Sequence, residues 1–256
     1  MSRRAVRGIA VEDAGRADSW EPGGVTSRIV ARKWAQEDRD GFVVSARERL
    51  RDPSEDARTS AIGVIRAIGA GALLELELGE LACDAAMPRA AATAARALGC
   101  VDTPGSRSAL TKAARSSDAR VRANAVESLA RLSGPTPDTA AAAVFIECKA
   151  DRHHRVRASA VRALVERPGG ADLSASLADV RAMLDDARGE HRLAGVWVAE
   201  RVLGGIGARA GSEACERLME RMTELATGDA SSAVRARATR CVRRVLVEAS
   251  YAGGGA

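Results

Sequence analysis

The chain has 256 residues, nearly half of them apolar, with only two Phe, three Trp and one Tyr. Its core must be built from Ala, Leu and Val, which suits helices at close approach, and no apolar run reaches the roughly 18 residues that span a bilayer. The formal charge of +5 sits at the two ends, with +3 in residues 1–35, +3 in residues 229–256 and −1 between them, which argues against a basic nucleic-acid groove along the whole chain.

Residues 1–24 hold no sustained helical period and end in Trp20-Glu21-Pro22-Gly23-Gly24. They are basic at first, but an acid arrives before any apolar stretch long enough for a leader, so no signal peptide is expected. A loose arm is expected, with Trp20 packing on the first repeat. Ile29, Val30, Lys33 and Trp34 fit a short helix, and residues 1–37 form the arm and this helix.

Helical hairpins occupy residues 38–250. Phe42, Val43, Ala46 and Leu50 share one face of a helix over 38–51. Asp52-Pro53 ends it, and Pro is tolerated at a new helix start because its missing N–H is unpaired there in any case. The second helix runs to Ile68, where Gly69 and Gly71 stop it. Five further pairs are expected: 71–84 with 87–100, 104–116 with 118–133, 137–150 with 152–167, 172–187 with 189–206, and 212–227 with 230–249. Leu74-Glu75-Leu76-Glu77-Leu78 alternates like a strand, but Leu73, Leu81 and Ala82 restore helical spacing and a lone strand has no partner. Residues 251–256 are read as a tail.

One frame returns six times. Asp52, Asp151, Asp186 and Asp229 stand six residues before Arg58, Arg157, Arg192 and Arg235; Ser116 and Arg122, and more weakly Ala85 and Ala91, occupy the same frame. Three residues after the Arg slot the side chain is small: Ala61, Ala94, Ala125, Ala160, Gly195 and Ala238. The slots recur at 31 to 43 residues, the signature of a stacked repeat array.

Val121-Arg122-Ala123-Asn124-Ala125-Val126-Glu127-Ser128-Leu129 and Val156-Arg157-Ala158-Ser159-Ala160-Val161-Arg162-Ala163-Leu164 carry the motif most fully. It resembles the second helix of HEAT repeats, especially the short bacterial kind shared with phycobilin lyase subunits. The resemblance implies an all-α, right-handed solenoid of about six hairpins. It also implies a structural ladder between neighbouring repeats, made of Asp52, Arg58, Arg122, Asp151, Arg157, Asp186, Arg192, Asp229 and Arg235. The helical wheel agrees, because small and apolar slots surround each Arg, and a guanidinium on a core face must be paired. Asp151 and Arg157 are expected to couple as one such pair. Ala91 departs from the motif.

Little points to catalysis. Five cysteines, none in a Cys-x-x-Cys, are read as small buried side chains in a reducing cytoplasm. His153, His154 and His191 share no metal-ligand spacing with them, and His153-His154 is expected on the surface. Glu190-His191 reverses the His-Glu order of the di-iron HEAT enzyme deoxyhypusine hydroxylase, and the chain has no His-Glu pair. No cofactor, metal or catalytic residue is expected.

Positions two, five and nine after the Arg slot point away from the apolar face and should line the concave face of the solenoid. In the C-terminal half they gather Arg162, Arg201, Arg237, Arg240 and Arg244 around an outward Trp197. Trp flanked by Arg is the composition of interface hot spots. The expected function is a non-catalytic adaptor that holds another protein, through an acidic segment, in this groove. The alternative is an enzyme or enzyme subunit on the same fold, either an alkylpurine DNA glycosylase or a bilin lyase. Nucleic acid is the less favoured partner.

Overall fold

A computed structural model describes residue 20 and residues 25–134, 139–166, 173–205 and 212–253. Every regular element in them is helical, apart from one short 3₁₀ turn at Gly71–Leu74. The chain divides into two compact units, Met1–Leu132 and Ser133–Ala256, where the sequence alone suggests one uninterrupted array.

The first unit contains α1 (Val25–Glu37), then hairpins α2 (Arg39–Leu50) with α3 (Glu55–Ile68), α4 (Glu75–Ala82) with α5 (Pro88–Leu98), and α6 (Pro104–Ala113) with α7 (Ala119–Leu132). Second helices pack side by side, α3 on α5 and α5 on α7, and α4 packs on α6. The second unit repeats the plan with α8 (Thr139–Cys148) and α9 (His154–Val165), α10 (Leu173–Leu184) and α11 (Gly189–Gly205), and α12 (Ser212–Gly228) and α13 (Ser232–Gly253). There α9 packs on α11 and α11 on α13. The six expected hairpins are these six, and the alternating Leu74–Leu78 segment runs from the 3₁₀ turn into α4.

Local chemistry sets the boundaries. Asp38 accepts from Gly41 N at 2.9 Å at the start of α2, and Thr103 accepts from Ser106 N at 3.1 Å at the start of α6. Such caps satisfy amides that have no carbonyl one turn back. Pro88 and Pro104 occupy the first positions of α5 and α6. Gly69 ends α3 at φ 78°, a left-handed conformation that a Cβ would strain.

The core is made as composition requires. On α5 it is Ala90, Ala91, Ala94, Ala95 and Leu98, all buried. Gly195 shows why the third position after the Arg is small: a Cβ there would meet Met183 Cβ at 2.9 Å and Leu184 N at 3.0 Å, so α10 and α11 touch through its missing side chain.

Trp20 is 5% exposed, stacks on Phe42 with centroids 5.4 Å apart, and donates from Nε1 to Ser45 Oγ at 3.2 Å. Trp34 completes the cluster edge-on, 5.7 Å from Phe42. The rest of the arm before Val25, and residues 254–256 of the tail, lie outside the described residues. Cys148 and Cys241 are buried as expected of all five cysteines, but Cys83 and Cys100 are exposed and Cys215 is half-buried. The side chains of Cys83 and Cys100 fall on solvent-facing helix ends, where the thiol adds nothing to the core.

Candidate partner-binding surface

The turns between paired helices share one hydrogen-bond plan, and it accounts for the six-residue spacing. The turn acid accepts from the amide two residues on: Asp52 from Ser54 at 2.8 Å, Asp151 from His153 at 2.7 Å, Asp186 from Arg188 at 2.9 Å, and Asp229 from Ser231 at 2.7 Å. The Arg six residues later turns back to the turn's carbonyls. Arg122 Nη1 donates to Ser116 O and Ser117 O at 2.9 Å each, and Arg192 Nη1 to Asp186 O and Ala187 O at 2.8 Å each. Arg58 reaches Asp52 O, and Arg235 reaches Asp229 O and Ala230 O. One Arg side chain thus satisfies carbonyls of the turn while the Asp satisfies an amide of the same turn.

The same Arg also reaches forward. Arg157 Nη1 lies 3.4 Å from Asp186 Oδ2, and Arg192 holds Asp229 with both oxygens at 2.6 and 2.9 Å. The acid that Arg157 meets is therefore Asp186 of the following hairpin, which corrects the expected pairing with Asp151: the guanidinium reaches forward to the next turn and not back to the carboxylate of its own. Ala91 is buried where the frame has Arg. The acid of that repeat moves to Asp84, one residue ahead of Ala85, and Arg58 Nη1 lies 3.7 Å from it.

The carboxyls of Asp186 and Asp229 lie below their usual range. Two hydrogen bonds from Arg188 and the nearby His191 lower Asp186 despite its burial. Arg192 does the same to Asp229. Asp118, which caps α7, is lowered to about 2, chiefly by the Arg120 side chain.

His191, near the start of α11, meets the adjacent His153 and His154 at the start of α9. His153 stacks on His154 with centroids 4.6 Å apart, and His154 meets His191 at 5.8 Å. His191 is 2% exposed, and neither His153 nor His154 stands on the open surface as expected, because α11 places His191 against them. Burial is the largest cause that lowers both His154 and His191. Among the described residues, no group of three or more His, Cys, Asp or Glu is placed to hold a metal ion.

The six residues singled out for binding all lie on α9, α11 and α13, the second helices of the second unit. Arg162 Cζ sits 5.2 Å from the centre of the Trp197 ring and Arg201 Cζ 5.0 Å from it, within reach of cation–π attraction. Trp197 itself is half-buried and packs against the core of Val161, Val196 and Val202. A helical wheel points it outward, but the fifth position after the Arg slot is the edge of the apolar face, and a large ring there folds down onto it.

The arginines divide into two sets. Arg237 donates to Glu200 Oε2 through Nε at 3.2 Å and Nη2 at 2.8 Å, and Arg244 donates to Glu200 Oε1 at 3.1 Å and Glu200 O at 3.2 Å. Arg201 and Arg240 are exposed, and no acid among the described residues lies within 4 Å of either. Arg162 has a loose neighbour in Glu166 at 3.8 Å, and its buried Nε has no hydrogen-bond acceptor.

Glu200 escaped the sequence reading, although a signal exists. It lies eight residues after its Arg slot, where the other repeats carry Arg66, Gly99, Ala130, Val165 and Arg243. Arg237 is alone in being charged at the second position, otherwise Ser60, Thr93, Asn124, Ser159 and Ala194. Asn124 Nδ2 bonds Ala92 O on the preceding second helix at 2.8 Å, so that position faces backward. Acid and base each appear once, at the one junction where they meet.

Residues 75–165 match the family model of HEAT repeats. The structure is similar to the archaeal HEAT-like repeats protein from Thermococcus onnurineus NA1, with TM-score 0.53 and 13% identity over 92% of this chain and 97% of that one. It is also similar to an engineered protein, with TM-score 0.50 and 19% identity over 80% of this chain and 96% of that one. These likenesses concern the fold alone. No curated protein matches the sequence. No helix among the described residues is long and apolar enough to cross a membrane.

Proposed function

We propose that this HEAT-repeat chain is a non-catalytic scaffold that holds an acidic segment of a partner protein against the face of α9, α11 and α13. Arrays of such repeats offer extended binding surfaces. The observation that carries the reading is the Trp197 ring with Arg162 and Arg201 held over it. Stacking fixes two long side chains whose freedom is otherwise lost on binding. Arg201 and Arg240 have no acid of their own among the described residues, so their charge is available to an incoming carboxylate.

The test uses a fluorescent peptide of about 20 residues carrying spaced Asp and Glu, titrated at several salt concentrations. Trp197→Ala is expected to cost about 2 kcal/mol of binding, as central aromatic anchors do. Arg240→Glu is expected to slow association and flatten its salt dependence. The proposal fails if wild type does not bind the peptide, or if both variants bind it as wild type does.

A further inference from the structure

Arg58, Arg157 and Arg192 each reach forward to an acid of the following turn, Asp84, Asp186 and Asp229. Arg235 holds the same slot on α13 and has no such acid. Its Nη1 donates to Asp229 O and Ala230 O, and no carboxylate among the described residues lies within 4 Å of its guanidinium. Arg192 uses Nη1 for its turn in the same way and holds Asp229 with Nε and Nη2. Arg235 therefore keeps that second edge without a carboxylate.

The apolar stripe beside it is open as well. Four and seven residues after the slot, Ile62 and Ile65, Val126 and Leu129, and Val196 and Ala199 are fully buried. On α13 these positions are Thr239 and Val242, both half-buried, and eleven residues after the slot Leu246 is 59% exposed. Helical spacing puts all three on the side of α13 that carries Arg235. We infer that this face docks a helical hairpin of another protein, with an aspartate of the hairpin's turn against Arg235 and an apolar helix face along Thr239, Val242 and Leu246.

The occupant follows from the ladder and from charge. The contact continues the one that joins α11 to α13, with the partner in the place of a following hairpin. Arg243 is exposed where α11 carries Glu200, so the partner is acidic along that edge too. A second copy of this chain does not meet these needs. Its Asp84, Asp186 and Asp229 already face arginines, and its α1 exposes Arg28, Arg32 and Lys33. Two copies of α13 face to face would set Arg235 and Arg243 against their own images. Arg240 of the proposed groove lies about 140° around α13 from Arg235, so the two surfaces serve different partners.

The probe is a synthetic peptide of residues 173–205, the α10–α11 hairpin with its turn acid Asp186, titrated onto the full chain at fixed salt. Wild type is expected to bind it. Asp186→Asn in the peptide is expected to weaken binding about thirtyfold, the scale of one truncated charge pair. Arg235→Gln in the protein is expected to cost as much, and the two changes together little more than either alone, because they remove one shared contact. Leu246→Glu is expected to weaken binding about tenfold. It alters an exposed residue, so it decides the matter if thermal unfolding shows that Arg235→Gln does not fold. The spaced acidic peptide of the groove is expected not to displace the hairpin. The inference is overturned if the hairpin does not bind, if its Asp186→Asn form binds as well, or if the acidic peptide displaces it. It also falls if the chain self-associates and Arg235→Gln abolishes the assembly, since the occupant is then a second copy. None of these outcomes except displacement touches the proposed function, which rests on binding of the acidic peptide alone.

Discussion

Arg192 holds both oxygens of Asp229, Nε to Oδ2 at 2.6 Å and Nη2 to Oδ1 at 2.9 Å, while its Nη1 donates to the carbonyls of Asp186 and Ala187. One guanidinium thereby ties the turn of its own hairpin to the turn of the next. The Asp229 side chain is 2% exposed, and its ionised form is tolerable there only because the guanidinium answers it.

Arg192→Ala and Asp229→Ala are each expected to lose about 3 to 5 kcal/mol, because each strands a buried partner. The double variant is expected to lose clearly less than the sum. Urea unfolding of the four proteins measures the coupling. Acid adds an independent check. The folded-state pKa of Asp229 is depressed, so its contribution is complete above the unfolded value of about 3.9 and is lost as pH falls below it. The Asp229→Ala variant should show a weaker loss of stability over that acid range than wild type does.

Two glycines predict opposite outcomes for the same substitution. Gly195→Ala forces a methyl against Met183 Cβ and Leu184 N and is expected to destabilise by about 1 to 3 kcal/mol. Gly63 lies within α3 with nothing within 4 Å of a Cβ, so Gly63→Ala is expected to stabilise by about 0.5 to 1 kcal/mol. Thermal midpoints that shift in the same direction for both would contradict the close approach of α10 and α11.

The histidine cluster predicts sensitivity to mild acid. Burial lowers the folded-state pKa of His154 and His191, so the unfolded chain binds protons first. Stability is then complete above the unfolded histidine value of about 6.5 and declines as pH falls below it. His153, Arg155 and Arg157 on α9 and Arg188 and Glu190 at the start of α11 set the local charge, and Asp186 opposes the decline by favouring a charged His191. Between about pH 7.5 and 5.5 the wild-type midpoint in urea is expected to fall, and His191→Gln is expected to show a shallower fall.

Trp197 predicts a cost in folding as well as in binding. It packs against the core of Val161, Val196 and Val202, so Trp197→Ala is expected to lose about 1 to 2 kcal/mol of stability, less than a fully buried aromatic loses. Trp197→Phe should recover most of that loss. Calorimetry on both variants separates this packing from the loss of peptide affinity.

The array was legible in the sequence because its signals are local and repeated. Proline at a helix start, glycine at a helix end and a small residue three positions after Arg each act within one hairpin, and six copies average out the exceptions. The candidate surface was legible only in outline. The wheel points Trp197 away from the apolar face but did not show the half-buried ring packing against the core of its unit, since the wheel carries no side-chain length. It could not join Glu200 to Arg237 and Arg244, because that contact depends on how α11 and α13 lie against each other. The histidines at 153, 154 and 191 meet for the same reason: helices α9 and α11 start at one level.

The turn plan also fixes how such a chain can change its length. The Asp-to-Arg step is measured within a turn, and the Arg-to-Asp step is measured from one turn to the next. Excision from Ala187 through Asp229 leaves Asp186 six residues before Arg235 and still opposite Arg157. The cut removes one whole hairpin and leaves the ladder itself supplied, with Asp186 between Arg157 on one side and the turn of Arg235 on the other. Loss or duplication from one turn acid to the next is therefore neutral for this seam, whereas a cut at any other spacing leaves a guanidinium or a carboxylate buried alone. Growth and shortening proceed in whole hairpins, with the turn aspartates as the joints.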